Sequence, residues 1–301
     1  MENLHQEQQS VAINTGTSGG LHRTIEDQEH PVKRPIWMLA RDWLAMFKAP
    51  EFGLRSLDLS LYGWKQHANI VIAGRPGTGT ADLAMTVAEA FATNHGEVVW
   101  LGLKDDLRGM CERMIFRDAA IEISTSGTVI LDDADRQKVA TAHRRIVELP
   151  IHLCDVDQCD GSAVELEFLT AVTSDRPTLI VIDESVFHDF DLNPFDALVR
   201  RVNLFRMLDE LHKSNRDWRV LWQVPVVNSL DTDFDSAPTL LDLSEPNVVA
   251  SANVVMITHT DIDTNSELMI LKNDFGSTDT IPLNYFQALS TWSERDDRTN
   301  C

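Results

Sequence analysis

The stretch Asn69-Ile70-Val71-Ile72-Ala73-Gly74-Arg75-Pro76-Gly77-Thr78-Gly79-Thr80-Ala81-Asp82 decides the fold of this chain. It begins with an apolar run typical of a buried strand, turns through glycines and continues into an alanine-rich helix. Gly74 and Gly79 have the G-x-x-x-x-G spacing of a phosphate-binding loop between a strand and a helix. Backbone N–H groups of such a loop point inward, and the helix N-terminus adds positive potential. The predicted cradle consists of Gly74, Arg75, Pro76, Gly77, Thr78, Gly79, Thr80 and Ala81.

The two positions after the last loop glycine depart from this motif. Where the loop expects Lys followed by Ser or Thr, the chain has Thr80 and Ala81. The lysine would supply positive charge to the β- and γ-phosphates, and the hydroxyl would hold Mg²⁺. Asp82 puts a carboxylate in the first helical turn, where we expect it to accept hydrogen bonds from helix N–H groups and to compete with a phosphate. The predicted cradle therefore lacks its charge.

Size and composition indicate one large α/β domain. The chain has 301 residues, of which 43% are hydrophobic, as is ordinary for a globular protein with a real core. No apolar run approaches the ~20 residues that span a bilayer. The N-terminal residues lack the basic and apolar regions of a secretory signal, so we expect a cytoplasmic protein that does not contact membranes. The four cysteines (Cys111, Cys154, Cys159 and Cys301) fit no zinc spacing and are expected to be free thiols.

The charge balance is strongly acidic. Asp and Glu number 47 against 26 Lys and Arg, which gives a formal net charge of -21. A surface that follows nucleic acid needs an excess of Lys and Arg to displace counterions from phosphates. The pairs Arg144-Arg145 and Arg200-Arg201 are better interpreted as solvated helix faces than as basic patches. The composition therefore disfavours strong autonomous binding to DNA.

The pattern along the chain divides it into four segments. Residues 1–34 are polar and are predicted to form a disordered tail. Residues 35–52, from Pro35 to Phe52, carry apolar side chains at helical spacing. This helix either packs on its own domain or docks on a neighbouring subunit. Residues 53–289 alternate strands and helices, and residues 290–301 are predicted to be an acidic tail.

The alternation predicts a mostly parallel sheet buried on both faces, because several strands are near-continuous apolar runs. A turn-like run at residues 273–277 separates the last two predicted strands, which we expect to form a β-hairpin at one sheet edge. The predicted strands are Asn69–Ala73, Glu97–Leu101, Ile151–Cys154, Leu179–Asp183, Arg219–Val224, Asn253–Thr258, Glu267–Lys272 and Thr280–Tyr285. The predicted helices are Ala81–Thr93, Asp106–Asp118, Asp133–Glu148, Ser162–Thr173 and Asn193–Lys213.

Seven segments together resemble one known family. They lie in the same order over about residues 53–285, which chance does not explain, although it explains any one of them. The segments are Gly53-Leu54-Arg55-Ser56-Leu57-Asp58 with Gly63-Trp64, the loop from Gly74 to Gly79, Leu149-Pro150-Ile151, Val220-Leu221-Trp222-Gln223, Leu240-Leu241-Asp242-Leu243-Ser244-Glu245, Ala252-Asn253-Val254-Val255-Met256-Ile257, and Leu271-Lys272-Asn273-Asp274-Phe275-Gly276. The chain resembles the C-terminal domain of DnaB-type replicative DNA helicases of superfamily 4. The last three segments favour this branch over KaiC- or RadA-like relatives.

The resemblance implies a RecA-like fold, ATP with Mg²⁺ as cofactors, and DNA and a ring of subunits as partners. It also assigns roles to particular positions. The strand that ends at Asp183 would order Mg²⁺. Gln223 would sense the γ-phosphate, and Lys272 matches a lysine of the family motif "AKNRNG". These residues are possible remnants of the family's site.

Carried over residue by residue, the family's chemistry fails at four positions. Thr80 replaces the loop lysine and Ala81 replaces the magnesium-binding hydroxyl. Lys104 stands where the family has its catalytic glutamate, and a lysine cannot polarise the attacking water as a carboxylate does. Asp274 stands where an arginine finger would come from the neighbouring subunit, a group worth ~10³–10⁵ in rate. The loss of four residues with different catalytic roles indicates an ATPase domain that no longer hydrolyses ATP.

Two substitutions could compensate for part of this loss. Glu184 directly follows Asp183, where other phosphate-loop ATPases place a catalytic base. Lys104 or Arg75 could swing in to replace the loop lysine. Neither change restores the arginine finger or the magnesium hydroxyl. The preferred interpretation is a DnaB-like protein that acts by association on a replication complex, and the alternative is an active or weakly active helicase.

Other candidate sites are less specific. His143 with Arg144 and Arg145 is better interpreted as the wet face of a helix than as a phosphate patch. The run from Asp231 to Asp235 has the spacing of part of a calcium loop but lacks its glycine and distal glutamate. We interpret it as an acidic surface loop.

Overall fold

The apolar runs of the sequence form a single mixed sheet. The computed structural model describes residues 51–123, 129–156, 176–187, 217–227, 236–260 and 265–295, with a few positions between 202 and 213. Several predictions fall outside the described residues, namely the 1–34 tail, the 35–52 helix up to residue 50, the helix at 162–173, most of the helix at 193–213, and the run at 231–235.

Among the described residues the sheet has nine strands in the order β3-β2-β4-β5-β1-β6-β7-β8-β9. The strands are β1 (Asn69–Gly74), β2 (Glu97–Gly102), β3 (Ile151–Asp155), β4 (Thr178–Ile182), β5 (Trp218–Pro225), β6 (Val254–Thr260), β7 (Ser266–Asn273), β8 (Asp279–Phe286) and β9 (Thr291–Glu294). The strands from β1 to β6 pair in parallel, and the remaining three continue the sheet as an antiparallel meander. The predicted parallel core and C-terminal hairpin are both present.

Helices cover the sheet and enclose its apolar side chains. In the continuously described segments they are α1 (Arg55–Leu61), α2 (Thr80–Asn94), α3 (Lys104–Asp118), α4 (Asp133–Val147) and α5 (Pro246–Ser251). The isolated positions described between 202 and 213 are also helical. Two large clusters of buried apolar side chains result. One cluster contains the buried residues of α1, α2 and α3, and the other contains Val248 and Val249 of α5. Alternate residues of β1 belong to different clusters, as expected for a strand buried on both faces.

One boundary expected from the sequence is corrected by the structure. Thr291–Glu294, assigned above to the 290–301 tail, forms β9 and pairs antiparallel with β8. Trp292 is buried, and the backbone reverses just before the strand through a left-handed residue, Ser290, with φ 48°. The hairpin is therefore not the last element of the sheet. A four-residue strand with one inward side chain is too short for its periodicity to stand out.

The topology brings the glycine loop and Asp183 to the carboxyl ends of the parallel strands. After β1 the chain passes through α2 and returns to β2, which lies beyond β5 and β4. In open α/β sheets, a crevice forms outside the carboxyl ends of the strands at such a change of direction. Gly74 and Asp183 lie at or directly after these strand ends. In the part of the chain that the structure describes, no helix is long and apolar enough to cross a membrane.

Candidate functional site

A pocket of about 820 Å³ opens where β1 and β5 end. Its volume falls in the range of small-molecule sites, ~300–1,000 Å³. It is lined by Gly74, Arg75, Pro76, Gly77, Gly79, Thr80, Ala81, Asp82, Arg113, Ile123, Glu184, Pro225, Val226, Tyr285, Gln287, Ala288 and Ser290. All of the predicted cradle residues except Thr78 therefore face this pocket, and Thr78 is buried beneath them.

Glycine geometry shapes the loop. Gly77 and Gly79 have φ values of 86° and 79°, in the left-handed region that favours glycine. Gly79 is also the N-cap of α2 and offers no side chain to the helix N–H groups. These first-turn N–H groups have no acceptor within the helix. The backbone can therefore still form an anion cradle.

Threonine hydroxyls fill the space under the loop. The Oγ1 atom of Thr258, on β6, lies 2.9 Å from Thr78 Oγ1 and 2.9 Å from Thr80 Oγ1. A Cβ atom added to Gly74 would lie within 2.1–2.5 Å of all three oxygens. Gly74 is thus required for close approach, and the hydroxyl of Thr80 bonds beneath the loop.

Asp82 does not cap the helix as the sequence predicted. Its carboxylate is buried and accepts hydrogen bonds from the Tyr285 hydroxyl at 2.5 Å and from Arg113 Nη1 at 3.4 Å. Tyr285 stacks on Trp292 with ring centroids 4.8 Å apart, and Trp292 Nε1 donates to the Gly79 carbonyl at 2.9 Å. Burial raises the pKa of Tyr285, and the Asp82 carboxylate raises it further. Long-range partners from β8 and β9 replace the local capping bond.

Asp183 is buried, and both of its carboxylate oxygens are engaged. Oδ1 accepts from the backbone N–H of Ser185 at 2.9 Å, and Oδ2 accepts from Trp100 Nε1 at 3.3 Å and Gln223 Nε2 at 3.4 Å. Gln223 is fully buried, and its Oε1 has no hydrogen-bond partner among the described residues. Asp183 and Gln223 therefore lie together behind the pocket, while Glu184 lines it.

The other predicted site residues lie elsewhere. Lys104 is the exposed first residue of α3 and is not among the residues that line the pocket. Lys272 pairs with Val255 near the start of β6, whereas Gly74 pairs with Thr258 near its end. Lys272 donates to the Ala250 carbonyl at 3.0 Å. Asp274 is also exposed, and its backbone N–H donates to the Asn253 carbonyl at 2.8 Å. One copy of the chain does not bring Lys272 or Asp274 to the loop.

Four residues of this site were missed from the sequence. Arg113, Tyr285 and Trp292 come from elements far along the chain, so no local spacing indicates them. Thr258 did leave a signal, because it is a polar residue at the end of the apolar run Val254–Ile257. His143, which the sequence analysis considered as part of a phosphate patch, lies exposed on α4.

The residues present do not fit a magnesium triphosphate. Thr80 brings no charge, Ala81 brings no oxygen, and Asp183 already accepts from protein donors at both oxygens. The guanidinium groups of Arg75 and Arg113 face the pocket together with the carboxylates of Asp82 and Glu184, so their formal charges cancel.

Comparisons with known proteins agree on one family. The sequence model of the DnaB-like helicase C terminal domain matches residues 51–294. The chain is 22% identical over 286 residues to the replicative DNA helicase DnaB of Mycoplasma pneumoniae (strain ATCC 29342 / M129 / Subtype 1). That match covers 83% of this chain and 57% of the relative, so the chain spans little more than half of the relative's length.

Solved structures share the fold. One solved ATPase domain superposes with a TM-score of 0.66 at 16% identity, covering 88% of this chain and 99% of that one. A DnaB-like replicative helicase, solved to describe its interactions with primase, superposes with a TM-score of 0.67 at 16% identity, covering 88% of this chain and 68% of that one. At this identity the likeness establishes the fold alone.

Proposed function

We propose that this chain, which belongs to the DnaB-like helicase C-terminal domain family and has its RecA-like α/β fold, does not hydrolyse ATP. It acts instead as a structural or regulatory partner in DNA replication. One observation carries this proposal: Thr80 stands in the lysine position and directs its hydroxyl to Thr258 beneath the loop. The group that should neutralise a triphosphate is therefore absent from the cradle.

The other altered positions support the same conclusion. Ala81 has no oxygen for Mg²⁺, and exposed Lys104 brings the wrong charge for a general base. Asp274 would repel a γ-phosphate where the family supplies an arginine. These changes affect charge neutralisation, metal binding, water activation and transition-state stabilisation. No single replacement side chain restores all four.

A weakly active ATP-dependent helicase is the second candidate, and the position of Glu184 favours it. Glu184 lines the pocket beside the loop, within the region where a base would act. Arg75 and Arg113 also line the pocket and would supply positive charge. Arg75 Nη1 donates to the Ser236 carbonyl at 2.8 Å, and Arg113 pairs with Asp82, so both cations already have protein acceptors. For this reason we prefer the inactive protein.

Association is the remaining route to function. We propose that the chain binds a second copy, or a helicase or other replication protein, through the 35–52 helix and the edges of its RecA-like domain. Direct binding to DNA is disfavoured by the net charge of -21. The segments 1–34 and 35–52 then serve as a polar tail and a docking helix.

ATP turnover tests the proposal. The full chain is assayed for phosphate release with Mg²⁺, with and without single-stranded DNA. The Asp183→Asn variant serves as the matched control for contaminating ATPases. We expect the two proteins to release phosphate at the same background rate. DNA-stimulated turnover that disappears in Asp183→Asn would overturn the proposal and establish the active helicase.

Oligomeric state tests the proposed association. Light scattering coupled to size exclusion compares the full chain with a version that lacks residues 1–50, each with and without ATP; Phe52 is kept because it is fully buried and stacks on Trp64. We expect assembly, alone or with a candidate helicase, to depend on residues 1–50 and not on ATP. Assembly that requires ATP would contradict this proposal.

A further inference from the structure

Three buried threonine hydroxyls meet beneath the glycine loop. Thr258 is fully buried, and Thr78 and Thr80 are each 9% exposed. Their oxygens converge on the α-carbon of Gly74, because a Cβ built there would lie 2.1 Å, 2.2 Å and 2.5 Å from Thr258, Thr80 and Thr78. The three residues belong to different parts of the fold, since Thr78 lies in the loop, Thr80 begins α2 and Thr258 is on β6.

The three hydroxyls find hydrogen-bond partners within the protein and need no ligand. A threonine hydroxyl has one hydrogen to donate and accepts through its oxygen. Thr78 Oγ1 donates to the Arg75 carbonyl at 2.8 Å, which leaves its oxygen as an acceptor for Thr258. Thr258 has one hydrogen, and the shorter contact assigns it to Thr78 Oγ1 at 2.9 Å and not to the Ala73 carbonyl at 3.3 Å, so that Thr80 donates to Thr258. The relay Thr80 to Thr258 to Thr78 to the Arg75 carbonyl uses every hydroxyl hydrogen.

The relay connects both ends of the loop to the sheet. Arg75 opens the loop and Thr80 closes it, while Thr258 lies on a strand that pairs directly with β1. Thr258 Oγ1 is also 3.3 Å from the Ala73 carbonyl at the end of β1. A buried hydroxyl that loses its partner is costly, so opening the loop would break several bonds together.

We infer that Thr258 is a positioning residue that holds the glycine loop in its cradle shape without nucleotide. This inference rests on the proposed function, because a loop that ATP does not order must be ordered by the chain itself. The shape of the loop then does not depend on the nucleotide state. The loop is a fixed structural element.

Hydrogen–deuterium exchange of the full chain without nucleotide tests this inference. Thr258→Val removes the central hydroxyl and keeps the shape of the side chain, and Thr258→Ser keeps the hydroxyl. Thr178→Val is the matched control, because Thr178 is a buried threonine at the opposite end of the sheet, with Oγ1 3.3 Å from the Arg176 carbonyl. Thr80→Val removes the first hydroxyl of the relay, should Thr258→Val fail to fold.

We expect the hydrogen-bonded amides of the loop, Thr78 bonded to the Arg75 carbonyl and Leu83 bonded to the Gly79 carbonyl, to exchange roughly tenfold faster in Thr258→Val, the loss expected for one or two hydrogen bonds. Thr258→Ser should exchange like the wild type, and Thr178→Val should leave the loop unchanged. Wild-type exchange in Thr258→Val, or equally fast exchange in Thr258→Ser, would overturn the inference.

Repeating the exchange experiment with ATP and Mg²⁺ separates the proposed function from the inference about Thr258. Protection of the wild-type loop by nucleotide would show that the cradle binds ATP despite its missing charge, the observation on which the proposed function rests, while the Thr258→Val result decides the inference by itself. We expect no protection by nucleotide.

Discussion

Tyr285 reaches across the fold to the buried carboxylate of Asp82, and this contact holds α2 against β8. Hydrogen bonds to charged groups are worth more than neutral ones, about 1.5–3 kcal/mol. We therefore expect Tyr285→Phe to lower the free energy of unfolding by roughly 2 kcal/mol. Urea denaturation of the full chain, followed by far-UV circular dichroism, measures the change.

The second of the chain's two tyrosines supplies the control. Tyr62 is 59% exposed at the end of α1, so Tyr62→Phe should change the free energy of unfolding by no more than ~0.5 kcal/mol. A change for Tyr285→Phe as small as the one expected for Tyr62→Phe would show that the hydroxyl of Tyr285 contributes nothing beyond its ring.

Asp58 makes stability depend on pH. Its Oδ1 accepts from the Phe52 N–H at 2.6 Å, yet burial raises its pKa from 3.8 to about 6, helped by the nearby carboxylates of Glu51 and Glu294. A group whose folded pKa is raised binds its proton more tightly in the folded state. Its contribution to stability is fully present below about pH 3.8 and is lost as pH rises through about 6.

The Asp58→Asn variant removes this titration and should keep the acceptor for Phe52. We expect the wild type to gain stability relative to Asp58→Asn as the pH falls from 7 to 5. Urea denaturation of both proteins at several pH values gives the difference in the free energy of unfolding. A difference that stays constant over this range would contradict the assignment.

Ion pairs link helix α4 to helices α2 and α3. It buries only Ala142 among its own residues. Arg145 pairs with Glu89 of α2 at 2.6 Å and with Asp118 of α3, and the latter bond raises the pKa of Arg145. Arg117 also pairs with Glu89, which links the three helices in one network.

We expect Arg145→Gln to loosen α4 selectively. The pairs are partly exposed, so the loss should be ~1 kcal/mol and should shrink at high salt. Hydrogen–deuterium exchange of residues 133–147 at low and high salt measures it. Arg144→Gln is the control, because exposed Arg144 bonds within its own helix, to the Ala140 carbonyl. If Arg144→Gln loosened α4 as much, the network would not be the cause.

Elements were predictable where local pattern and burial agree. The apolar runs gave every parallel strand to within two residues, and α2, α3 and α4 were predicted with similar accuracy. Helices α1 and α5 and strand β9 were missed because each is short and has little periodicity. Asp82 was assigned to a helix cap by a local rule, but its partner Tyr285 lies 203 residues away. A rule based on neighbouring residues cannot include a hydrogen-bond partner at that distance in the sequence.

The arrangement of the whole molecule separates two halves of the family's site. The loop lies at the Thr258 end of β6, and Lys272 lies beside Val255, about 10 Å away along the strand at 3.3 Å per residue. A complete site would therefore require two copies of the chain, one that contributes the glycine loop and one that contributes Lys272 and Asp274. If ATP hydrolysis is lost as we propose, restoring it requires changes at both edges, and these can be tested in steps.

The first step restores the loop. We expect Thr80→Lys with Ala81→Thr to bind ATP in the presence of Mg²⁺ and the wild type not to bind it. At a ligand concentration 100 times Kd, binding should stabilise the fold by about 2.7 kcal/mol. Without nucleotide the double variant should be less stable than the wild type, because Thr80→Lys removes a hydroxyl of the Thr258 relay. Thermal unfolding with and without ATP measures both effects.

The second step adds Lys104→Glu and Asp274→Arg to the double variant. Turnover requires a base on one copy and an arginine from its neighbour, so we expect phosphate release to rise more steeply than linearly with protein concentration. Mixing the variant that lacks Asp274→Arg with one that lacks Lys104→Glu should recover part of the activity, because each copy supplies what the other lacks. Activity that is linear in concentration and insensitive to mixing would place the whole site within one chain, against the separation of Lys272 from Gly74 along β6.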